Sequence, residues 1–377
     1  MRLFSKRKSP RVPEVQTCTT ADRGIIPPLH NLDNPAEFRL YRELREKVPV
    51  IDAAIMKLVR LLGEFRIVCA DDQAQKAMDE FVSRVPVGGV STGLYMFICT
   101  YFDQLLTCGK AVGEIAVYED GGIAALYNAP ADAVTLCAGD NLVDARMVHS
   151  GVGKKEIEHP ERICVTLLNP QPGTLRGTSI LSGLPFVSDL LMKIFRCVGQ
   201  NFERAGNVRF AVTYNPPAGA GAVNARQRVK EIAEQWSSAM RDKSRVCDFV
   251  SVGDVNIRAI GADSQILDCD VPIRHVLEQI VAKLSVPPFL LGLSWSSTER
   301  MSSQQADILT SELEHYRFLL TPVIEKIARA YLNAERLDPR VTVEWSNISL
   351  QDETELAAAR LDNARAMQLE QSMEVNG

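Results

Sequence analysis

Val286-Pro287-Pro288-Phe289-Leu290-Leu291-Gly292 is an apolar elbow that no helix passes through, and it decides how the rest of the chain is read. The paired prolines supply no amide donors and fix φ, and the glycine suits a left-handed turn. On its N-terminal side, Val271, Ile273, Val276, Leu277, Ile280, Val281 and Leu284 recur at helical spacing from Asp270 to Ser285. On its C-terminal side, Ser294-Trp295-Ser296-Ser297-Thr298-Glu299-Arg300-Met301-Ser302-Ser303 reads as a serine-rich loop. A long helix over 304–333 follows, with Leu309, Leu313, Tyr316, Leu320, Ile324, Ile327 and Tyr331 on one stripe. Pro322 falls inside it, removing the hydrogen bond to the Phe318 carbonyl and predicting a kink.

Working outward, residues 34–47 and 50–62 read as helices, 64–68 as a strand, and 74–85 and 91–107 as two further helices. Gly109 stops the last of these, and a strand over 111–118 turns at Asp120-Gly121-Gly122 into another over 123–127. Short strands are expected at 133–136, 146–150 and 162–168. Gly177-Thr178-Ser179 opens a helix to about 204, with Thr178 or Ser179 as its N-cap and Leu184, Val187, Leu191, Ile194, Val198 and Phe202 as its stripe. A strand at 208–214, a helix at 223–241 bearing Val229, Ile232, Trp236 and Met240, and strands at 246–252 and 255–260 complete the middle of the chain. The C-terminal part reads as a strand over 340–345, then a helix to about 371 capped by Ser349 or Asp352. The fold class is therefore α+β.

This order of helix, proline elbow, polar loop and long proline-bearing helix resembles the core of the portal proteins of tailed bacteriophages. The passage from Leu105 through Gly109 to Ile115 looks like the wing of that family, and the start at Gly177-Thr178-Ser179-Ile180-Leu181 is similar to that of its first stem helix. The resemblance implies a portal-like subunit with wing, helical stem, α/β clip and short helical crown. Mapped onto this chain it gives a flexible basic arm at 1–33, a wing at 34–178, a first stem helix at 179–206 and a strand-helix-strand-strand clip at 207–267. A second stem helix at 268–286 and a tunnel loop at 287–305 come next. The long kinked helix and strand of the wing take 306–348, and the crown takes 349–377. It also implies site residues: Ser294, Trp295, Ser296, Ser297 and Arg300 facing DNA in the tunnel, Arg226, Lys230, Glu231 and Glu234 on the clip facing the terminase, and Pro322 at the helix kink. The implied assembly is a homo-oligomeric ring, dodecameric in the family, at the capsid vertex of a virion assembled in a bacterial cytoplasm. Its implied partners are double-stranded DNA passing non-specifically, the terminase large subunit, the head-tail adaptor and the capsid protein. The alternative, from another class, is a non-enzymatic cellular scaffold or adaptor with helical hairpins and no DNA role.

Composition sets outer bounds. The 377 residues suffice for two or three domains, and 46% hydrophobic with 24% charged residues excludes wholesale disorder. A net charge of −5 argues against a tight phosphate-gripping protein, because counterion release supplies most of such affinity. It suits a conduit along which DNA slides. The nine cysteines form no CxxC pair and read as buried thiols of a reducing compartment. Neither a membrane-length apolar run nor a signal peptide is expected. The start is basic, with Arg2, Lys6, Arg7, Lys8 and Arg11.

Enzyme chemistry finds no foothold in the pattern. The five histidines have no metal-site spacing. Gly151-Val152-Gly153-Lys154-Lys155 fails as a phosphate loop, since Val148 stands where the first glycine belongs and Lys155 where a hydroxyl belongs. Asp71-Asp72 and Asp268/Asp270 sit at loop or helix starts, where the dipole accounts for them without catalysis. No cofactor or metal is expected.

Overall fold

The computed structural model describes residues 35–139, 145–150, 155–206, 209–215, 222–241, 254–260, 269–293 and 299–348. They divide into two units, one made of the residues up to Ser188 with those from Leu277 onward, the other Asp189–Val276. The larger unit begins with α1 (Pro35–Lys47) and α2 (Pro49–Leu61), joined at Val48. Arg45 ties them to the core. Its Nε and Nη2 donate to Asp52 Oδ1 at 2.9 and 2.7 Å, and its Nη1 donates to Asp103 Oδ1 at 2.7 Å and Thr107 Oγ1 at 2.8 Å. Because that guanidinium is largely buried and fully partnered, it welds three helices where a surface ion pair would contribute little.

Strand β1 (Phe65–Cys69) leads to α3 (Asp72–Arg84), whose N-cap Asp71 accepts from the Ala74 amide. The carboxylate read from sequence as a helix-start residue does that work here. Two short strands, β2 (Pro86–Val87) and β3 (Ser91–Thr92), come before α4 (Leu94–Cys108), so this helix starts three residues later than its apolar pattern suggests. The reason is local. Ser91 and Thr92 pair with Val87 and Pro86, and Gly93 at φ 96 breaks the run.

Helix α4 is the axis of the core, with Leu94, Phe97, Ile98, Tyr101, Phe102, Leu105 and Leu106 all fully buried. It lies on β4 (Lys110–Val117) in a five-stranded sheet of order β3-β2-β5-β4-β8, where β5 is Ile123–Ala129 and β8 is Ile163–Leu167. Gly113 of β4 is required by this packing, because a Cβ there would stand 2.5 Å from Phe97 Cζ. Gln104 stitches helix to sheet, donating to the Ala129 carbonyl at 2.7 Å and accepting from the Val112 amide at 2.8 Å. A second antiparallel pair, β6 (Val134–Ala138) with β7 (Ala145–His149), sits beside the sheet, and Lys110 Nζ, nearly inaccessible, donates to the Val134 carbonyl.

Asp189–Val276 carries an antiparallel pair, β9 (Arg209–Asn215) and β10 (Asp254–Ile260), with α6 (Ala222–Arg241) between them in sequence. The chain enters this unit along α5 (Leu184–Gly206) and leaves it along α7 (Asp270–Leu284). On α6 the expected apolar stripe is only partly realised, since Ile232 is buried while Val229 is 51% exposed. The expected strand at 246–252 and the C-terminal helix at 349–371 lie outside the described residues.

Back in the larger unit, α8 (Glu299–Ala334) runs to β11 (Val341–Trp345), which pairs antiparallel with β1, Phe65 opposite Trp345. The α8 stripe is buried as its spacing demands, from Leu309 to Ile327. Tyr316 packs on Phe102 of α4 with centroids 5.1 Å apart, and Tyr331 stacks on Phe81 of α3 at 4.1 Å. Arg317 is buried with them, donating through Nε and Nη2 to the Leu62 carbonyl at 2.9 and 2.6 Å and lying 5.0 Å from the Trp345 ring centroid. A cation is thus set at the C-terminus of α2, where the helix dipole favours it. Burial lowers its pKa from the ordinary arginine value.

Candidate functional site

The elbow at 286–292 is an ordered corner. Helix α7 stops at Leu284, Ser285 turns the chain with φ 53, and Val286 is 2% exposed. A 3-10 turn over Pro288–Leu291 follows, closed by Gly292 at φ 73. Its amides find partners within the turn: Leu290 donates to Pro287 at 3.1 Å, Gly292 to Phe289 at 3.2 Å and Leu293 to Pro288 at 3.1 Å. A self-satisfied corner with Val286 and Pro287 both buried can hold the ends of an adjoining loop in place.

That loop is shorter than its serines suggest. Helix α8 begins at Glu299, so Arg300 and Met301 stand in its first turn and 299–303 is helical, not loop. Glu299 next to the helix N-terminus favours this start through the dipole. Ser294, Trp295, Ser296 and Ser297 lie outside the described residues. Pro322 is inside α8 as expected, and Thr321 before it donates to the Arg317 carbonyl at 2.8 Å and accepts from the Trp345 indole at 3.0 Å. Arg226, Lys230, Glu231 and Glu234 are all exposed on α6, with Glu231 paired to Arg228 at 3.1 Å. They belong to Asp189–Val276 and the elbow to the larger unit.

The first long helix of the middle region departs from its expected start. It begins at Leu184, not Thr178, and neither Thr178 nor Ser179 caps it. Ser179 is buried and its hydroxyl donates to the carbonyls of Leu106 at 3.0 Å and Thr107 at 2.7 Å, closing the C-terminus of α4. Two glycines make the crossing possible. A Cβ on Gly177 would stand 1.8 Å from the Gly109 carbonyl oxygen, and Gly109 itself sits at φ 74. The two glycine motifs singled out from sequence, Gly109-Lys110 and Gly177-Thr178-Ser179, therefore meet back to back. Sequence reasoning saw both and missed the contact.

Beside the elbow a polar cleft of about 460 Å³ opens between Lys283 and Ser285 on one side and Ser311, Glu312 and His315 of α8 on the other. Asn169, in the left-handed region at φ 43, and Thr178 line its floor. Tyr316 at its inner edge is pushed up to about 12 by burial, with the Glu312 carboxylate adding to the effect. Among the described residues no cluster of three or more His, Cys, Asp or Glu could hold a metal ion, and no helix is long and apolar enough to cross a membrane.

No protein-family model and no curated protein sequence matches the chain. Solved structures do. The neck of a native gene transfer agent (GTA) particle, computed with C12 symmetry, superimposes with a TM-score of 0.61 over 88% of this chain and 89% of that one, at 15% identity. The neck of the empty GTA particle, computed with C6 symmetry, gives 0.62 over 87% and 88%, again at 15% identity. The chain has the fold of a GTA neck component. A portal protein of the HK97 family from Corynebacterium diphtheriae aligns over 84% of this chain and 96% of that one at 14% identity, but a TM-score of 0.43 adds nothing to the assignment. At 15% identity the neck matches show a shared fold.

Proposed function

We propose that this chain is the portal subunit of a phage-like particle, one copy of a closed ring through which double-stranded DNA enters and leaves the capsid. The observation that carries this reading is the likeness to a twelve-fold particle neck over almost the whole chain at once. On this assignment 34–178 and 306–348 form the wing, α5 and α7 the stem, β9-α6-β10 the clip, and 349–377 the crown. The division of the chain at Asp189 and Val276 supports it, because α5 and α7 are the two strokes that connect the larger unit to the smaller one.

The chemistry fits a conduit. Serines and one arginine offer DNA weak, exchangeable contacts that set no register, and a chain of net charge −5 does not hold phosphates tightly. The elbow at 286–292 holds the base of the tunnel loop, Ser294, Trp295, Ser296 and Ser297 meet the DNA, and Arg300 guards the loop from the first turn of α8. The exposed Arg226, Lys230, Glu231 and Glu234 face the terminase, whose ATPase drives packaging. The portal itself hydrolyses nothing, and its other neighbours are the capsid protein and the head-tail adaptor in the virion.

Helix α5 carries exposed Phe186 and Leu190 near one side and Phe195 and Phe202 near the opposite side. A helix with apolar groups on two opposed faces suits a place between two neighbours, which is what a rotationally closed ring demands. The test is DNA content. Particles assembled with this chain should protect DNA from nuclease, and particles assembled without it should be empty. Protected DNA of equal length in both would favour the scaffold reading.

A further inference from the structure

The two-stranded ribbon of β1 and β11 has one sealed edge and one open edge. Ser346 donates its amide to the Glu64 carbonyl at 2.9 Å, and the Glu64 amide donates to the Ser346 hydroxyl at 3.2 Å. Antiparallel pairing alternates, so Arg66 with Glu344 and Val68 with Thr342 also face inward, and the residues between them turn their main-chain groups outward. On the β1 side the outward groups are taken up. Gln75 of α3 donates to the Ile67 carbonyl at 2.9 Å and accepts from the Cys69 amide at 2.9 Å, so one side-chain amide stands where a further strand would pair. On the β11 side the outward groups are those of Val341, Val343 and Trp345, and among the described residues none of them finds a partner. Ile67 is 2% exposed while Val343 opposite it is only partly buried, so the core face is also uncovered toward that edge. A cleft of about 590 Å³ opens where β11 begins, lined by Val341 and Thr342 and by Arg329 and Asn333 of α8.

We propose that residues 15–20 of this same chain pair with the open edge of β11 as a third strand. An edge of Val-Thr-Val-Glu-Trp with no proline is a template for any extended chain, and proteins cover such edges. Three facts choose the segment. Residues 1–34 lie outside the described residues, and within them Val15-Gln16-Thr17-Cys18-Thr19-Thr20 holds four β-branched residues in six, between Pro13 and Gly24. Its alternation puts Val15, Thr17 and Thr19 on one face, fit to extend the partly buried row of Val341, Val343 and Trp345. The fourteen residues 21–34 then link the segment to α1. At ~3.3 Å per residue they reach roughly 45 Å, beyond the radius of about 20 Å of a folded unit this size. Such a tether holds the segment at high local concentration beside the edge. The proposal does not depend on the portal reading.

Hydrogen exchange measured residue by residue in the full-length protein tests this. The Val341 and Val343 amides should exchange roughly tenfold slower or more than in a variant carrying Thr17→Pro and Cys18→Pro, which removes a donor from each edge of the segment. The Thr342 and Glu344 amides, held by β1, should exchange alike in both proteins and show that the ribbon is kept. Equal exchange at Val341 and Val343 in the two proteins overturns the proposal, whether both are fast, with the edge open, or both slow, with another chain on it. As a second arm, a photo-crosslinking residue at position 17 reports whose segment is bound. Links from 15–20 to 341–345 are expected in products of single-chain mass. The same links confined to multiples of that mass give the edge to another copy and overturn the proposal. Neither result touches the portal reading.

Discussion

Gly177 and Gly109 show how much a single missing side chain can decide. With 1.8 Å between the Gly109 oxygen and a Cβ built on Gly177, no rotamer change relieves the clash, because the neighbour is backbone. Gly177→Ala should therefore lower stability by about 2 kcal/mol or more, near the upper part of the range for single substitutions, measured by denaturant unfolding. An alanine tolerated within about 0.5 kcal/mol would contradict the crossing. Arg317 makes a comparable case. Arg317→Ala leaves the Leu62 carbonyl buried without its two donors, and an orphaned acceptor of that kind costs about 1–3 kcal/mol. The buried thiols add a pH signature. Burial pushes Cys164 up to about 11, against the pull of the Lys326 ammonium, and Cys108 up to about 11, against the Arg42 guanidinium. The unfolded chain releases these protons near the ordinary value of 9.0 while the folded chain keeps them. Their contribution is therefore complete below about pH 9 and is lost as pH rises through about 11. Thermal stability should fall between those values, and Cys164→Val should make the fall shallower. An identical slope with valine would show that this thiol has no part in it.

At the scale of elements, the long-period signals were legible and the long-range ones were not. The stripe from Leu309 to Ile327 sufficed to place α8, because a 3.6-residue repeat over so many turns has one physical reading. Ser91 and Thr92 were folded into α4 by the same logic, and their pairing with β2 could not be read from apolar spacing. Thr178 and Ser179 have the chemistry of a helix cap, yet the Ser179 hydroxyl serves a helix that ends some seventy residues earlier. Strands β1 and β11 were both legible, but their pairing was not, since nothing local in Arg66 points to Glu344. Of the candidate site, the elbow and Pro322 were readable from proline chemistry, and Arg300 was misplaced by one helical turn. The proposed tunnel loop makes the element-scale prediction. Ser296→Glu with Ser297→Glu repeats added negative charge around the ring, a repulsion toward phosphate that water and salt screen only in part. Capsids and rings should still form, and the length or retention of packaged DNA should fall. Arg300→Glu should act in the same direction. Normal packaging with all three residues changed would end the tunnel assignment.

Taken as a whole molecule, the chain is a two-unit α+β subunit whose apolar surface is not used up by its own core. Phe318 on α8, Phe186 and Phe202 on α5 and Val271 on α7 are each more than half exposed in the single chain. In the ring proposed above such residues are available to a neighbouring copy. The acidic composition suits the passive channel proposed above. One measurement tests that claim most directly: electron micrographs of the purified full-length protein, with its mass taken in the same buffer. The account predicts closed rings of about twelve copies with an open central channel, by analogy with the twelve-fold neck. A monomer or dimer at every concentration, with no rings on the grid, would contradict it.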